Sequence, residues 1–477
     1  MAKSSGVAET ELEKAQPKKP GAGADAAPKR ALHLVDVIAL IVGIVIGAGI
    51  FRTPSLVAAN TGSNSFFLLA WVLGGIISLI GALCYAELTT AFPNTGGDYH
   101  FLLRAFGRRI GFLFAWARMS VIQTGSIALL AFIFGDYFTQ IYSFGTFSSE
   151  IYAALVIIIL TGINIVGVHF GTGAQKLLTT VEVFGILIII IMGLFFAPGL
   201  AEMPVAEPAD SETTHSIGLA MVFVLLTFGG WNEAAYISAE LRSGRKRMVN
   251  ALVLGIIIIT AVYLLINLAY LNVLGRNGMA QSDAVAADFM RVAFGEGGVI
   301  VIAIMVAIAA VTSANATIFT GARSNYALGR DFKAFSALGK WNTQPSGPLN
   351  AFLVQGLISL ALVSFGIFSR DGFETIVEYT APVFWFFFLL VGVALFVLRV
   401  KEPKVERSFK VPLYPVIPLI FCLSSTYLLY SSVMYTGWGA LVGIGVLLIG
   451  VILLLVLPKI QKVGPEIETK EGETGSP

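Results

Sequence analysis

Charged residues are scarce in this sequence. Only 13% of its 477 residues are Asp, Glu, Lys or Arg, about half the share of a typical soluble domain. The formal net charge of +2 gives no sign of nucleic-acid binding. With 56% hydrophobic residues and a mean hydropathy of +0.82, the chain is predicted to be an all-α integral membrane protein.

Cysteine and histidine are also rare, with 2 and 4 residues. Cys84 and Cys422 lie inside apolar segments, so neither can belong to an extracellular disulfide framework. The histidines are scattered near the ends of apolar segments. An intramembrane enzyme needs a nucleophile with its base, or a set of metal ligands. We therefore expect no catalytic residues and no metal site.

Twelve apolar segments approach or exceed the length of about 20 residues that crosses a bilayer. They lie near 34–59, 65–92, 110–140, 150–167, 176–198, 215–240, 249–274, 297–328, 348–368, 374–399, 411–434 and 438–457. The polar ends, 1–32 and 459–477, are predicted to be disordered tails. Residues 33–458 between them are predicted to form one transmembrane domain.

Lys and Arg are concentrated in alternate connections between these segments. The basic connections contain Arg104, Arg108 and Arg109; Arg242, Arg245, Lys246 and Arg247; Arg323, Arg330, Lys333 and Lys340; and Arg399, Lys401, Lys404, Arg407 and Lys410. The opposite connections contain only Arg276, Arg291 and Arg370. Because cytoplasmic loops are enriched in Lys and Arg, both termini are predicted to be cytoplasmic, in the plasma (inner) membrane.

The first apolar segment has three glycines in seven residues at its midpoint, within 43–49. Each glycine in a helix interior costs about 1 kcal/mol relative to alanine. A similar interruption, Leu-Thr-Phe-Gly-Gly-Trp-Asn, occurs at 226–232 in the sixth segment. Opened backbone is tolerated at membrane depth only where it faces protein or a watery cavity. Paired interruptions of this kind point to the substrate site of a transporter.

Since the interrupted segments are the first and the sixth, the repeat unit is five segments. The first begins inside and the sixth begins outside, so the repeats, 34–198 and 215–400, are inverted. This predicts a LeuT-type 5+5 arrangement with unwound helices 1 and 6. Two further helices occupy 411–457. Residues 281–293 are expected to form a short amphipathic helix over the outer mouth, as part of an external gate.

Several motifs resemble one known family. They are Ile46-Gly47-Ala48-Gly49-Ile50-Phe51, Gly81-Ala82-Leu83-Cys84-Tyr85-Ala86-Glu87-Leu88, Gly96-Gly97-Asp98-Tyr99, Gly229-Gly230-Trp231-Asn232 and the basic run at 399–411. Over roughly 33–435 the chain resembles the amino acid–polyamine–organocation (APC) superfamily, closest to its L-type amino-acid transporter branch. The resemblance implies a secondary transporter of amino acids working by alternating access, without enzymatic chemistry or a bound cofactor. Neutral L-amino acids and proton coupling or exchange are favoured.

Two alternatives stay open at this point. One is a carrier of cationic amino acids or polyamines. The other is an amino-acid sensor without transport, although sensors usually have a large soluble output domain. Animal relatives in this branch bond to a heavy chain through a cysteine between the third and fourth segments, and residues 141–150 contain none. We therefore expect no disulfide-linked heavy chain, and a monomer or weak homo-oligomer in contact with membrane lipid.

The resemblance places the substrate on main-chain groups. Its carboxylate would bind the amides of Ala48 and Gly49, beside Gly47. A helix N-terminus presents free N–H groups and a partial positive charge there. Its ammonium would bind carbonyls freed in both helices: Val45, Ile46, Leu226, Thr227 and Gly229. Other glycines are interpreted as helix-packing residues, since small residues let membrane helices approach: Gly74, Gly75, Gly81 and Gly443.

The resemblance also implies the walls of the pocket. They would include Gln123, Thr124, Gly125, Asn315, Trp231, Asn232 and Trp385. Gln123 and Asn315 should face the interior, touching either substrate or another helix, and Trp385 is either a pocket or a packing residue. The branch usually has an aromatic lid at the position of Leu226, so the gate is assigned to Leu226 together with Phe228.

Among the charges within the predicted segments, the interpretation singles out Glu87, Arg118, Glu182 and Glu233. Such charges are costly and are functional candidates, with structural pairing as the alternative for Glu87 and Arg118. Many sodium-independent members of the superfamily have lysine where this chain has Glu182. We interpret Glu182 as the site of a coupling proton, or as a cation ligand with Thr312 and Ser313. Glu233 is interpreted as structural, with recognition of cationic substrates as its alternative.

Overall fold

The part of the chain that the computed structural model describes is almost entirely helical. It comprises residues 42, 45–94, 96–167, 172–196, 216–233, 245–343, 346–367, 371–434 and 438–456. The helices are α1 Thr53–Ala59, α2 Asn64–Ala91, α3 Gly97–Phe106, α4 Arg108–Ala117, α5 Gln123–Thr139, α6 Ser148–Val166, α7 Thr172–Phe195, α8 Ile217–Thr227, α9 Arg245–Ala280, α10 Val285–Asp331, α11 Leu349–Gly366, α12 Gly372–Lys401, α13 Val416–Met434 and α14 Trp438–Val456. Strands β1 Asn342–Thr343 and β2 Ser346–Gly347 form a small antiparallel hairpin.

Nine helical stretches in the described ranges are long and apolar enough to cross a membrane. They are Asn64–Ala91, Arg108–Thr139, Ser148–Val166, Val249–Ala280, Val285–Asp331, Leu349–Gly366, Gly372–Lys401, Val416–Met434 and Gly439–Val456. Each coincides with one of the predicted segments, which confirms a multi-pass membrane protein. The fifth and sixth predicted segments contribute shorter apolar helices, Thr180–Phe195 and Ile217–Thr227.

Some predictions fall outside the described residues. These include both tails, 1–32 and 459–477, most of the first segment before residue 45, and 234–240 of the sixth segment. The total of twelve spans and the inverted repeat therefore stay predictions.

Close helix packing explains the glycines that were assigned to it. A Cβ at Gly74 would lie 2.4 Å from Val224 of α8, a distance that real side chains do not adopt. The same reasoning holds at Gly81, where a Cβ would lie 2.7 Å from the Trp231 ring. At Gly443 the Cβ would meet a backbone oxygen at 2.0 Å, and at Gly75 a threonine side chain at 2.4 Å. Small residues thus let these helices approach, as expected in a membrane.

Two of the long helices are interrupted at glycines with positive φ. Gly275 in α9 has φ 66°, and Gly295 in α10 has φ 67°. The interruption at Gly295 separates a short helix, 285–294, from the long span that follows. This short helix lies near the predicted position, 281–293. The amide of Ala286 donates to the hydroxyl oxygen of Tyr137 at 3.2 Å. The Arg291 guanidinium donates to Gln140 at 3.1 Å. The short helix therefore lies against the C-terminal end of α5.

Candidate transport site

The first predicted break is present in the backbone. Gly47 is extended, with φ −125° and ψ −178°, and a 3-10 turn, Ala48–Phe51, follows it before α1 begins. Neither Ala48 nor Gly49 donates its amide to any other described residue. These are the first amides of a helical segment, which lack an intrahelical acceptor. The break therefore leaves two N–H groups without an acceptor among the described residues.

The second break follows the end of α8 at Thr227. Gly230 has φ 109°, a left-handed conformation that favours glycine, and a second 3-10 turn, Trp231–Glu233, comes after it. The amide of Gly229 donates to the carbonyl oxygen of Leu226 at 3.0 Å. The helical hydrogen-bond pattern thus stops within the predicted motif.

A tyrosine of α9 joins the two breaks. The Tyr263 hydroxyl donates to the carbonyl oxygens of Val45 and Thr227, at 2.9 and 3.1 Å. Both are among the carbonyls that were assigned to the substrate ammonium. Tyr263 is fully buried, and its ring packs edge-on against Trp71 and Phe228. No sequence motif singles out Tyr263, whose hydroxyl is one polar group in a long apolar run.

Close packing does not account for the glycines of the first break. A Cβ at Gly47 would meet no atom of the described residues within 4 Å, and one at Gly49 would lie 3.8 Å from Thr227. The contact at Gly49 is an ordinary van der Waals contact, in contrast to the tight contacts at Gly74 and Gly81. Among the described residues, nothing fills the space beside Gly47.

Two cavities border the second break. The first is lined by Ile77, Ser78, Leu225, Gly229, Trp231, Phe384, Trp385, Phe388 and Phe421. The second is lined by Ile122, Ser126, Leu129, Val222, Leu226, Val377, Thr380, Ala381, Phe384 and Trp385. Neither lining contains a charged side chain, so these cavities suit uncharged groups.

Two of the predicted wall residues line these cavities. Trp385 contributes to both and Trp231 to the first, and Leu226, which was assigned to the gate, contributes to the second. Phe228 lines neither cavity. Its buried ring instead packs against Trp71 and Tyr263. At the position assigned to the gate, Leu226 is thus the residue that faces the cavity.

The polar wall residues hold neighbouring helices together. Gln123 donates to the Thr317 carbonyl oxygen at 2.9 Å, which joins α5 to α10. The Asn315 amide oxygen accepts from Asn164 of α6 at 2.7 Å. The Thr124 carbonyl oxygen accepts from a serine of α11 at 3.3 Å. Of the two contacts considered for Gln123 and Asn315, substrate or another helix, the structure shows the second.

Glu87 is paired, as in the structural alternative. Its carboxylate accepts from the Arg399 guanidinium at 2.7 Å and from the Val411 amide at 2.7 Å. Arg407 lies 3.4 Å away. A buried carboxylate is stable only when it is paired and hydrogen-bonded in this way. Arg118 is also buried and begins a π-helix, Arg118–Ile122, while the Glu233 side chain lies outside the described part.

Glu182 is buried in α7, with 7% of its surface exposed. Its Oε1 atom has no hydrogen-bond partner among the described residues. The Thr312 hydroxyl donates within α10 to Ile308 at 2.8 Å, and the Ser313 carbonyl oxygen accepts from Thr317 at 2.8 Å. An unsatisfied buried carboxyl oxygen is costly and calls for an explanation.

The sequence interpretation missed a buried arginine next to the first motif. Arg52 pairs with Asp371 at the start of α12, lies 3.4 Å from Asp136 of α5, and donates to the Ser282 carbonyl oxygen at 3.1 Å. Both Arg52 and Asp136 fall inside predicted segments. A charge within the membrane is costly, and this reasoning, which made Glu182 a functional candidate, applies equally to Arg52 and Asp136.

The π-helix at Arg118–Ile122 was not predicted either, because one extra residue in a turn leaves no clear sequence pattern. It directly precedes Gln123 and supplies Ile122 to the second cavity. Such π-bulges often occur at functional sites. In the described part of the chain, no group of three or more His, Cys, Asp or Glu residues is arranged to hold a metal ion.

Comparison with known proteins agrees with this architecture. The profile of the amino acid permease family matches residues 32–461. The b(0,+)-type amino acid transporter 1 of Mus musculus is 32% identical over 415 residues, which cover 85% of this chain and 83% of that protein. The large neutral amino acids transporter small subunit 2 of Mus musculus is 31% identical over 440 residues, covering 90% and 81%.

A bacterial relative is similar over nearly its whole length. The serine/threonine exchanger SteT of Bacillus subtilis (strain 168) is 27% identical over 421 residues, which cover 87% of this chain and 95% of SteT. These matches confirm the resemblance to the APC superfamily and exclude an enzyme. The chain belongs to the amino acid permease family and is a multi-pass membrane transporter of amino acids.

Proposed function

We propose that this permease moves neutral L-amino acids by alternating access, with the substrate bound between the two helix breaks. The single observation that supports this most is the pair of interrupted helices joined by the Tyr263 hydroxyl. Irregular backbone at membrane depth needs a compensating partner. A zwitterion bound at the breaks provides one for both the free amides and the free carbonyls.

The substrate's charged groups bind to the backbone. Its carboxylate accepts from the amides of Ala48 and Gly49, next to the space at Gly47 that no described residue fills. Its ammonium donates to the carbonyl oxygens of Ile46, Gly229 and their neighbours. Each carbonyl oxygen has two lone pairs. The oxygens that already accept from Tyr263 can therefore accept from the ammonium as well.

The substrate side chain occupies the second cavity. Its lining is apolar except for the hydroxyls of Ser126 and Thr380, and it contains no charge. A cationic side chain would be desolvated there without a partner, which is unfavourable. Two relatives are named for large neutral amino acids and for serine and threonine. Uncharged substrates are thus favoured over cationic amino acids or polyamines. In this proposal Gln123 and Asn315 position α5 and α10.

Transport is coupled to a proton that binds Glu182. A carboxyl group that is buried without a partner is more stable when it is protonated. Coordination of a cation by Glu182, Thr312 and Ser313 is the alternative coupling mechanism.

The proposed membrane topology follows from the distribution of Lys and Arg among the connections. The protein spans the plasma membrane twelve times as two inverted five-helix repeats with two further helices, and both termini are cytoplasmic. No disulfide-linked heavy chain is required, because residues 141–150 contain no cysteine. The protein works as a monomer or a weak homo-oligomer.

Uptake into proteoliposomes tests the proposal. Labelled alanine, serine, leucine, phenylalanine, arginine and lysine are each offered with and without imposed Na⁺ and pH gradients. We expect neutral amino acids to enter faster when the outside is acidic, and Na⁺ to have no effect. Preferential uptake of arginine that the Glu233→Gln variant loses would establish the cationic alternative. Binding of a neutral amino acid without flux would establish a sensor.

A further inference from the structure

The loop between α12 and α13 is held rigidly against the end of α2. The amide of Val411 donates to the buried Glu87 carboxylate at 2.7 Å. Arg407 donates to the carbonyl oxygens of Leu398 and Glu402, at 3.0 and 3.1 Å, which caps the C-terminal end of α12. This loop, 402–415, therefore has a defined shape and presents fixed side chains to its surroundings.

The loop presents large apolar side chains outwards. Leu413 is 75% exposed and has φ 49°, a left-handed conformation that is unfavourable for a bulky residue. Val400, which precedes the loop, is 80% exposed, and Val416 at the start of α13 is also exposed. A strained residue of this kind, with an exposed apolar side chain, is a candidate for a functional contact outside the chain.

The same loop contains two exposed lysines, Lys404 and Lys410, and neither forms a salt bridge with a described carboxylate. The neighbouring arginines differ in this respect. Arg399 pairs with Glu87 and stacks over the Tyr414 ring, 3.7 Å from its centroid. Arg104 pairs with Glu402. The two lysines are thus free to bind an external anion.

An exposed apolar stripe continues from the loop along α13. It consists of Val416, Leu419, Ile420, Leu423 and Tyr427. These residues are three or four positions apart, so they share one helix face. Because α13 is long and apolar enough to cross the membrane, this face meets acyl chains. The lysines belong to the loop that leads into this stripe, at the end of the membrane span, where lipid headgroups are found.

We propose that the 402–415 loop binds an anionic phospholipid of the cytoplasmic leaflet. The phosphate is bound by Lys404 and Lys410, and the acyl chains lie along Leu413, Val416 and the stripe on α13. A lysine ammonium is a compact point charge that suits a phosphate. Anionic lipids of the cytoplasmic leaflet attract basic segments at the membrane surface. The proposal rests on the cytoplasmic position of the loop in the proposed membrane topology. It does not depend on which amino acid is transported.

Lipid retention by the full-length chain tests this site. The protein is purified in detergent, mixed with phosphatidylcholine or phosphatidylglycerol, and analysed for retained lipid by native mass spectrometry. Each lysine near an anionic surface changes affinity about fivefold. The Lys404→Gln/Lys410→Gln variant should therefore retain phosphatidylglycerol roughly 25-fold less tightly, with unchanged retention of phosphatidylcholine. The matched control is Lys333→Gln/Lys340→Gln, which removes two exposed lysines from the connection between α10 and β1.

The apolar part of the proposal has its own variant. Leu413→Gly removes the exposed side chain and suits the left-handed backbone, so it should fold, and it should weaken retention of both lipids. Phosphatidylglycerol retention that is equal in wild type and the loop double variant would overturn the proposal. An equal loss in the control pair would also overturn it, because the effect would then come from general surface charge.

Discussion

The hydroxyl oxygen of Tyr263 lies 2.9 Å from the carbonyl oxygen of Val45, although the two residues are 218 positions apart in the chain. The same hydroxyl is 3.1 Å from the Thr227 carbonyl oxygen. One hydroxyl has one proton, so the two carbonyls share a single donor. The two breaks are thereby held together through one atom of α9, and any movement of one break past the other must disturb this contact.

Replacing Tyr263 by phenylalanine should impair transport without unfolding the protein. The ring contacts with Trp71 and Phe228 remain, but two buried carbonyls lose their donor. An unsatisfied buried group costs about 1–3 kcal/mol. We expect kcat/KM for the preferred amino acid to fall about tenfold, which corresponds to roughly 1.4 kcal/mol. Initial rates in proteoliposomes measure this.

The control for that variant is Tyr270→Phe. Tyr270 is fully buried in the same helix, and its hydroxyl has no hydrogen-bond partner among the described residues. Its loss should leave transport close to the wild-type rate. If Tyr263→Phe and Tyr270→Phe had equal rates, the contact between Tyr263 and the breaks would be unimportant for transport.

Replacing Gly47 by alanine should prevent substrate binding without destabilising the fold. The added Cβ meets no atom of the described residues within 4 Å, and the negative φ of −125° is open to any residue. We therefore expect an unchanged thermal unfolding temperature but at least about a tenfold loss of uptake, because the methyl group enters the space assigned to the carboxylate. Gly297→Ala is the control, since its Cβ is equally free of contacts. Wild-type uptake by Gly47→Ala would place the carboxylate elsewhere.

The positions of both breaks and of the packing glycines could be predicted from sequence. Glycine destabilises a helix interior, so its presence there indicates either a break or a close contact between helices. The hydrogen-bond partners of the polar residues could not be predicted. Gln123 and Asn315 form hydrogen bonds with neighbouring helices, and the sequence does not say which helix each of them meets. Glu87 pairs with Arg399, 312 positions away, and no local pattern specifies that contact. Tertiary packing decides such pairs.

Glu182→Gln should uncouple transport from the pH gradient. Glutamine resembles the protonated carboxyl in shape but cannot exchange a proton. We expect uptake into proteoliposomes to continue at equal pH on both sides, and stimulation by an acidic exterior to disappear. Glu296→Gln, at an exposed position, should keep the wild-type stimulation. Full stimulation in Glu182→Gln would show that the proton binds another group.

A further substitution at the same position tests the comparison with the superfamily. Glu182→Lys introduces the residue that many sodium-independent members have there. We expect this variant to exchange internal for external amino acid without responding to pH or Na⁺. Counterflow of labelled substrate against unlabelled substrate measures exchange directly. Exchange that still depended on the pH gradient would contradict the role of Glu182.

Leu226→Ala should change which substrates are preferred. Leu226 lines the second cavity, so its truncation enlarges the space for the substrate side chain. One methylene group in an apolar pocket is worth about 10–200-fold in discrimination. We expect the uptake ratio of phenylalanine to alanine to rise at least about tenfold. Leu219→Ala makes the same change on α8 at a residue that lines neither cavity, and it should leave the ratio unaltered.

The ion pair between Arg104 and Glu402 makes a pH-dependent contribution to stability. Both guanidinium contacts to the Glu402 carboxylate are 2.6 Å long. Hydrogen bonding from Arg104 lowers the pKa of Glu402 from its ordinary value of 4.5. The stabilisation is therefore complete above pH 4.5 and is lost as the pH falls through the lower pKa of the folded protein. Its size should be below about 1 kcal/mol, since the pair is partly exposed.

Thermal unfolding of Glu402→Gln in detergent measures this contribution. The variant should unfold at a lower temperature than wild type at pH 7, and the difference should shrink steadily below pH 4.5. Glu406→Gln is the control, because Glu406 is exposed and forms no described salt bridge. A difference between Glu402→Gln and wild type that stayed constant down to pH 3 would mean that the carboxylate charge is not its source. Lost packing around Arg104 would then be the cause.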